Sequence, residues 1–323
     1  MASLDDPPPA AVQADIDALR RHLADVLPSK RLDENLLIAT WNLRAFSSLT
    51  RKWTAGDDDS PKRDLRGLRA IGEIIRRFDI IAVQEVKGDL RALRDLINWL
   101  GRDWAFLMTD VTAGSAGNSE RMAYLFDRRR VEPSGLACEL VVPEEWLAEV
   151  APDALRRQFA RTPYAVSFRA GRHTFILVTL HVKYGDAPAE RAAELHGIAR
   201  WMRDWAARTN AWSQDLIALG DFNIDRRDDP LWQAFTSTGL TVPPDLVDAP
   251  RSIFAAADEP TTDKYYDQIA WFADTDGTGL SMTYRRGGCV DFLPYVYTDT
   301  GLTRNEISWR VSDHYPLWAE FVL

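Results

Sequence analysis

The sequence predicts one large α/β domain with mixed sheets, and three observations carry that expectation. Short apolar runs alternate with amphipathic helical patterns along most of the chain, the order expected of sheets covered by helices. One stretch, AVSFRAGRHTFILVTL at 165–180, holds two strand-like runs around Gly171 and reads as a hairpin, so antiparallel pairs enter as well. The composition, 46% hydrophobic and 27% charged over 323 residues, is that of an ordinary globular chain long enough for a sizeable core.

Taken in order, residues 1–10 are acidic and proline-rich and read as disordered. From Val12 the apolar residues recur at Ile16, Leu19, Leu23 and Val26, steps that keep them on one helix face until Pro28 ends the run. This helix is expected to pack on the main domain as an N-terminal extension. LLIAT at 36–40 reads as a buried strand. DLRGLRAIGEIIRRF at 64–78 puts Leu65, Leu68, Ile71 and Ile75 on one helix face, and DIIAV at 79–83 is a second buried strand. DLRALRDLINWLG at 89–101 is an amphipathic helix ending at Gly101, a residue suited to helix ends. AERAAELHGIARWMRDWA at 189–206 is helical, DLIAL at 215–219 is a third short strand, and YPLWAEFVL closes the chain with a strand's period of two. The stretch from Arg44 to Arg63, with Trp53 and the acidic run Asp57–Asp59, is a loop: solvated surface or the rim of a substrate groove.

Several classes are excluded or disfavoured. No apolar run is long enough for a membrane-spanning helix. The start lacks a basic segment followed by an apolar one, so it does not read as a signal peptide. Cys138 and Cys289 match no metal spacing and read as free thiols, which makes the cytoplasm the expected location. The net charge of −9 argues mildly against tight non-specific binding of nucleic acid, whose affinity comes largely from released counterions. A turnover enzyme needs only local positive charge, so the balance does not exclude a nuclease. Nothing in the sequence points to a protein partner.

The informative pattern is the polar residue at each strand end. Asn42 follows LLIATW, Glu85 follows DIIAVQ, His181 follows FILVTL, and Asp221 and Asn223 follow LIALG. Asp267 opens DQIAWF, and Asp313 and His314 open HYPLWAEF. Strand ends are where a sheet gathers side chains from distant sequence into one crevice. Each alone has a plain alternative: a solvated Glu, a turn at GDFN, a cap at SDH. His22 and His196, on helices, read as structural or exposed. The set together is hard to explain as separate accidents. No Cys/His cluster or HExxH indicates zinc, no GxxxxGK[ST] loop indicates a nucleotide switch, and no GxSxG elbow indicates a serine hydrolase. Carboxylates and amide oxygens suit a hard cation such as Mg²⁺, Mn²⁺ or Ca²⁺. Two histidines beside carboxylates suit acid–base work near neutrality. A cation, two imidazoles and amide donors are what phosphodiester hydrolysis needs.

TWNLRAF, DIIAVQEVK, ERMAYLFD, LVTLH, LIALGDFNID, YYDQI and VSDHYPL, in this order, resemble the endonuclease/exonuclease/phosphatase superfamily, and most nearly its deoxyribonuclease I branch. The resemblance covers the chain from about residue 36 onward. It implies a four-layer sandwich, two packed mixed β-sheets flanked by helices, with a catalytic domain at 33–323 behind the extension of residues 1–32. It implies Mg²⁺-dependent phosphoester hydrolysis, with Mn²⁺ a substitute, and nucleic acid as substrate. Carried over, Glu85 resembles the principal metal-binding carboxylate, with Asn42 beside it and Asp313 as second ligand. His314 resembles the water-activating histidine, held by Asp221. His181 resembles the histidine facing the leaving oxygen, with Glu120 as its carboxylate partner. Asp267 resembles a second orienting carboxylate and Asn223 an amide on a phosphate oxygen. Arg161, Lys87 and Arg44 resemble substrate-binding cations.

The chain also departs from that branch. The secreted relatives carry a signal peptide and disulfides, and this chain shows neither at matching positions. An aromatic residue that precedes the ERY-like motif there is replaced by GNSERM, with Asn118 near the place. Leu136–Arg157 and Thr275–Trp309 have no clear counterpart. A nuclease is therefore the first expectation, and a phosphoesterase for a small or lipid substrate the second. The lipid form wants an exposed apolar segment, for which Ile307 and Trp309 are candidates, while YYDQIAW counts against an inositol phosphatase. A binding module without catalysis has no chemical need for the whole set.

Overall fold

The computed structural model describes residues 2–111, 118–140, 161–183, 188–208, 212–255, 264–272 and 279–323. Strands β1 (Asn35–Phe46), β2 (Ile80–Val86), β3 (Trp104–Met108), β4 (Arg121–Asp127), β11 (Thr283–Cys289) and β12 (Leu317–Val322) build a six-stranded sheet in the order β11-β12-β1-β2-β4-β3. Strands β5 (Glu132–Glu139), β6 (Tyr164–Ala170), β7 (His173–His181), β8 (Leu216–Asp221), β9 (Leu240–Thr241) and β10 (Asp267–Phe272) build a second, ordered β5-β6-β7-β8-β10-β9. In each sheet one central pair is parallel, β1 with β2 and β7 with β8, and its neighbours are antiparallel. The expected hairpin is β6–β7, turning at Gly171.

The layers follow from the side-chain alternation of a strand. In β1 and β2, Leu36, Ile38, Ile80 and Ala82 join the core shared with the second sheet. Their neighbours Leu37, Ala39, Trp41, Ile81 and Val83 pack under helices α1 (Ala10–Val26), α2 (Leu65–Ile75) and α3 (Arg91–Leu100). On the far side, Leu195, Ile198 and Met202 of α4 (Pro188–Ala206) and Leu231 and Phe235 of the helix Pro230–Thr236 cover the second sheet. The result is helix, sheet, sheet, helix, the four-layer sandwich the resemblance implies. Strands buried on both faces have no polar side to show, which is why they read as unbroken apolar runs.

Two expectations change. Residues 2–10 are not disordered as expected. Leu4 is buried in the core under α2, Arg69 donates to its carbonyl, and the helix already starts at Ala10. The helix is fastened to α2 by Arg66 on Asp15 and by a two-pronged Arg20–Glu73 pair. Ile307, a candidate for exposed apolar surface, is buried, whereas Trp309 is 45% exposed. Much of Leu136–Arg157 lies outside the described residues. The described part of Thr275–Trp309 supplies edge strand β11 and the short helix Arg304–Ser308. Neither Cys138 nor Cys289 is in a disulfide, and no described helix is long and apolar enough to cross a membrane.

Candidate active site

β1, β2, β7 and β8 all finish at one edge of the sandwich. Asn42, Glu85, His181 and Asp221 stand there, and Asp267 opens β10 directly opposite Asp221 in the antiparallel register. The β1–β2 register shifts between Asn42 and Phe46, and Arg44, Ala45 and Glu85 take positive φ. Such a bulge re-aims side chains. Here Glu85 turns back to accept the Ala45 amide at 2.7 Å and the Asn42 side-chain amide at 3.0 Å. The same Asn42 nitrogen donates to Asp221 Oδ2 at 2.9 Å, tying the two sheets together at the site. Gly220 permits the approach of β7 to β8: its φ is +141°, and a Cβ there would lie 2.1 Å from the Leu180 carbonyl oxygen. His181 and Asp221 are therefore register partners.

Asp221 sits between two imidazoles. His181 Nε2 lies 3.6 Å and His314 Nε2 4.0 Å from its Oδ2. A different carboxylate stands behind each ring at Nδ1: Asp267 is hydrogen-bonded to His314 at 2.5 Å, and Glu120 Oε2 lies 3.1 Å from His181 Nδ1, an ion-pair distance without hydrogen-bond geometry. A carboxylate on Nδ1 fixes the ring and leaves Nε2 for chemistry. The sequence comparison gave His314 to Asp221. The structure corrects that: Asp267 holds His314, because the antiparallel register brings it under the ring while Asp221 is left at 4.0 Å. Burial pulls the His314 pKa down, but the charge and hydrogen bond of Asp267, with Asp313 and Asp221 behind, raise it well above the usual imidazole value. Burial pushes Asp267 up to about 6 against the pull of His314.

Glu120 gathers the cations. Lys87 Nζ lies 2.7 Å from Oε1 and Arg161 Nε 2.7 Å from Oε2. Burial acts to raise the Glu120 pKa, but His181, Arg161 and Lys87 outweigh it and hold the group at about 2. Lys87 and Arg161, expected to face substrate, are thus drawn inward. Asn223 gives its side-chain amide to the Val182 carbonyl at 2.6 Å and its backbone amide to Asp221 at 3.0 Å. Arg44 stands at the mouth: it donates to Ser308 Oγ, lies 3.3 Å from Asp313 Oδ2, and covers the Trp309 ring at 3.9 Å.

Glu85, Asn42 and Asp313 offer oxygen donors only, and Asp313 is a quarter exposed. That chemistry fits a hard divalent cation and not zinc. Among the described residues no group of three or more His, Cys, Asp or Glu side chains is arranged for a metal, and the Asn42 amide oxygen also accepts from the Arg44 backbone amide at 2.9 Å.

Two residues missed by the sequence reading organise the edge. Ser312 Oγ donates to the Asn42 carbonyl and accepts from the His314 amide. Arg63 is buried, and its guanidinium donates to five backbone carbonyls, those of Leu43, Arg44, Ala45, Arg310 and Val311. It therefore joins the loop after Asn42 to the loop before Asp313. A lone Arg in a polar loop gives no sequence signal; Ser312 lay within VSDH but carries no chemistry of its own.

A four-layer α/β sandwich with paired imidazoles and carboxylates at its strand ends is the architecture of a phosphoester hydrolase, and the family match bears this class out. The chain belongs to the Endonuclease/Exonuclease/phosphatase family, whose model matches residues 39–314. It is 29% identical over 206 residues to a Thioalkalivibrio sp. (strain K90mix) protein named deoxyribonuclease, covering 62% of this chain and only 49% of that one. It is 25% identical over 298 residues to deoxyribonuclease-1 of Bos taurus, covering 89% of this chain and 92% of that one. Among solved structures it resembles the Bacteroides thetaiotaomicron mannosyl-6-phosphatase Bt3783, with TM-score 0.58, 18% identity and coverage of 89% and 100%. It also resembles D. rerio TDP2 complexed with a single-strand DNA product, with TM-score 0.57, 13% identity and coverage of 89% and 98%. At these identities the solved structures show the fold.

Proposed function

We propose that the chain is a divalent-metal-dependent phosphodiesterase that hydrolyses the backbone of nucleic acid. The observation that carries this reading is the pair of imidazoles, each with its own carboxylate behind Nδ1 and presenting Nε2 to one central Asp221. Two such groups on either side of a reacting phosphate supply a proton acceptor for water and a proton donor for the leaving oxygen. His314 takes the water proton and His181 returns one to the leaving group. To act as the acceptor His314 must be unprotonated, against the raising influence of Asp267 and Asp313 on its pKa. Glu85, Asn42 and Asp313 would hold Mg²⁺ or Mn²⁺, which when bound supplies positive charge to the phosphate oxygens. Arg44 adds a guanidinium at the mouth. The deoxyribonuclease relatives support nucleic acid as the substrate class.

A second reading, a phosphatase for a small substrate, is favoured by one observation. Lys87 and Arg161 are paired with Glu120 and Arg44 with Asp313, so each of the three expected substrate cations already has a carboxylate partner. A hydrolysis panel separates the two: plasmid DNA, single-stranded DNA, RNA, bis-p-nitrophenyl phosphate and a sugar phosphate, each with Mg²⁺ or Mn²⁺, with His314→Ala as control. Nucleic acid cleavage absent from the variant and abolished by EDTA is the expected result. Release of phosphate from the sugar phosphate alone overturns the nuclease reading.

A further inference from the structure

Behind the sandwich, at the end where β1 and β2 begin, lies a cavity of about 590 Å³ walled by Arg20, Ser29, Lys30, Glu73, Arg76 and Arg77. A second of about 280 Å³ shares Lys30 and Arg76 with it and adds the indoles of Trp99 and Trp104. Three guanidiniums, those of Arg20, Arg69 and Arg76, converge here on the buried Glu73 carboxylate, with Arg77 beside them. Glu73 takes two bonds from Arg20, at 3.0 and 2.7 Å, and one from Arg69 at 3.1 Å. Arg76 comes no nearer than 3.6 Å, outside hydrogen-bond range. Arg77 turns one nitrogen to the Arg20 carbonyl. A guanidinium has five donor hydrogens, so both arginines keep donors unspent at the cavity wall.

The local charge is inverted relative to the whole chain, which carries −9. Lys30 adds to the field, though its own ammonium is taken up by Phe78 O and Asp127. Burial lowers the Arg77 pKa; the Glu73 charge opposes this, and the neighbouring Arg76 and Arg20 lower it further. The carbonyl end of α2 compensates about half a charge, less than the excess. A bound anion would supply the rest.

We propose that this cavity is a phosphate-binding site separate from the hydrolytic edge, with Arg76 and Arg77 as its fork-shaped donors and Ser29 beside them. Guanidiniums match the oxygens of a phosphate in pairs. The phosphate is free or belongs to a nucleotide, whose base has the adjoining indole-walled cavity as room.

The test is calorimetry on the full chain in EDTA at physiological chloride, with inorganic phosphate, pyrophosphate and a nucleoside 5′-monophosphate as probes. One saturable site is expected, weakened at least about tenfold in Arg76→Gln/Arg77→Gln and unchanged in His181→Ala/His314→Ala. Tighter binding of the nucleotide identifies it as the source, and equal binding identifies free phosphate; both uphold the site. Absence of saturable binding in the unmodified chain overturns the proposal. So does binding that survives the arginine substitutions and is lost with the histidines. If circular dichroism shows the arginine variant unfolded, Ser29→Glu, which puts a carboxylate into the cavity, must abolish binding.

Discussion

At the scale of the residue, Glu120 and Asp267 have the same task, each standing behind one imidazole, but their surroundings differ. Glu120 is held by two cations as well as His181, and its pKa falls to about 2. A carboxyl whose folded pKa lies below its ordinary value stabilises the fold above that ordinary value and loses the contribution as pH falls toward the folded one. Between about pH 4.5 and 2 the chain should therefore lose stability partly through Glu120. Urea midpoints measured across that window should fall less steeply in Glu120→Gln than in the unmodified chain; equal slopes would contradict the ion cluster. Asp267 has His314 at 2.5 Å, with the charge of Arg251 acting on it as well. Asp267→Asn keeps the shape and removes the charge, so kcat should drop by roughly 10²-fold or more with KM little changed. A variant with near-normal kcat would show that His314 needs no orienting carboxylate.

At the scale of the element, legibility follows burial. β1, β2, β7 and β8 are buried on both faces, so their apolar runs and the polar residues at their ends stand out in the sequence. Edge strands do not: EPSGLACE of β5 and TYRRGGC of β11 alternate without a strand-like composition, and only the register shows them. The partner of His314 was illegible for a related reason. Asp221 and Asp267 both sit at strand ends and become neighbours only through the antiparallel pairing of β8 with β10. Arg63 is the extreme case, a polar-loop residue whose role exists only in three dimensions. Arg63→Met should leave several buried carbonyls without a donor and destabilise the fold by at least about 2 kcal/mol. Arg63→Lys, with three donors for five acceptors, should fall between. Chemical denaturation of the three proteins checks the order, and a Met variant as stable as the unmodified chain would remove Arg63 as the tie between the two site loops.

At the scale of the molecule, the charge of −9 and the disposition of the basic residues make one demand on a nuclease. Duplex DNA binding loses affinity with salt by a slope of about −0.9 per phosphate neutralised. Lys87 and Arg161 are committed to Glu120, and Arg44 remains at the mouth of the candidate site. The three cations expected at the site then offer one or two phosphate contacts between them. Raising salt from about 50 to about 200 mM should weaken binding of a duplex by only about three- to twelvefold. A protein that grips DNA along a basic surface loses far more over the same range. The measurement is Kd of the His314→Ala chain for a short duplex at four salt concentrations. A shallow line fits an enzyme that holds its substrate at the reacting phosphate. A slope steeper than about −4 would mean that cations elsewhere on the surface contact the duplex, with the arginine-lined cavity behind the sheets the first place to substitute.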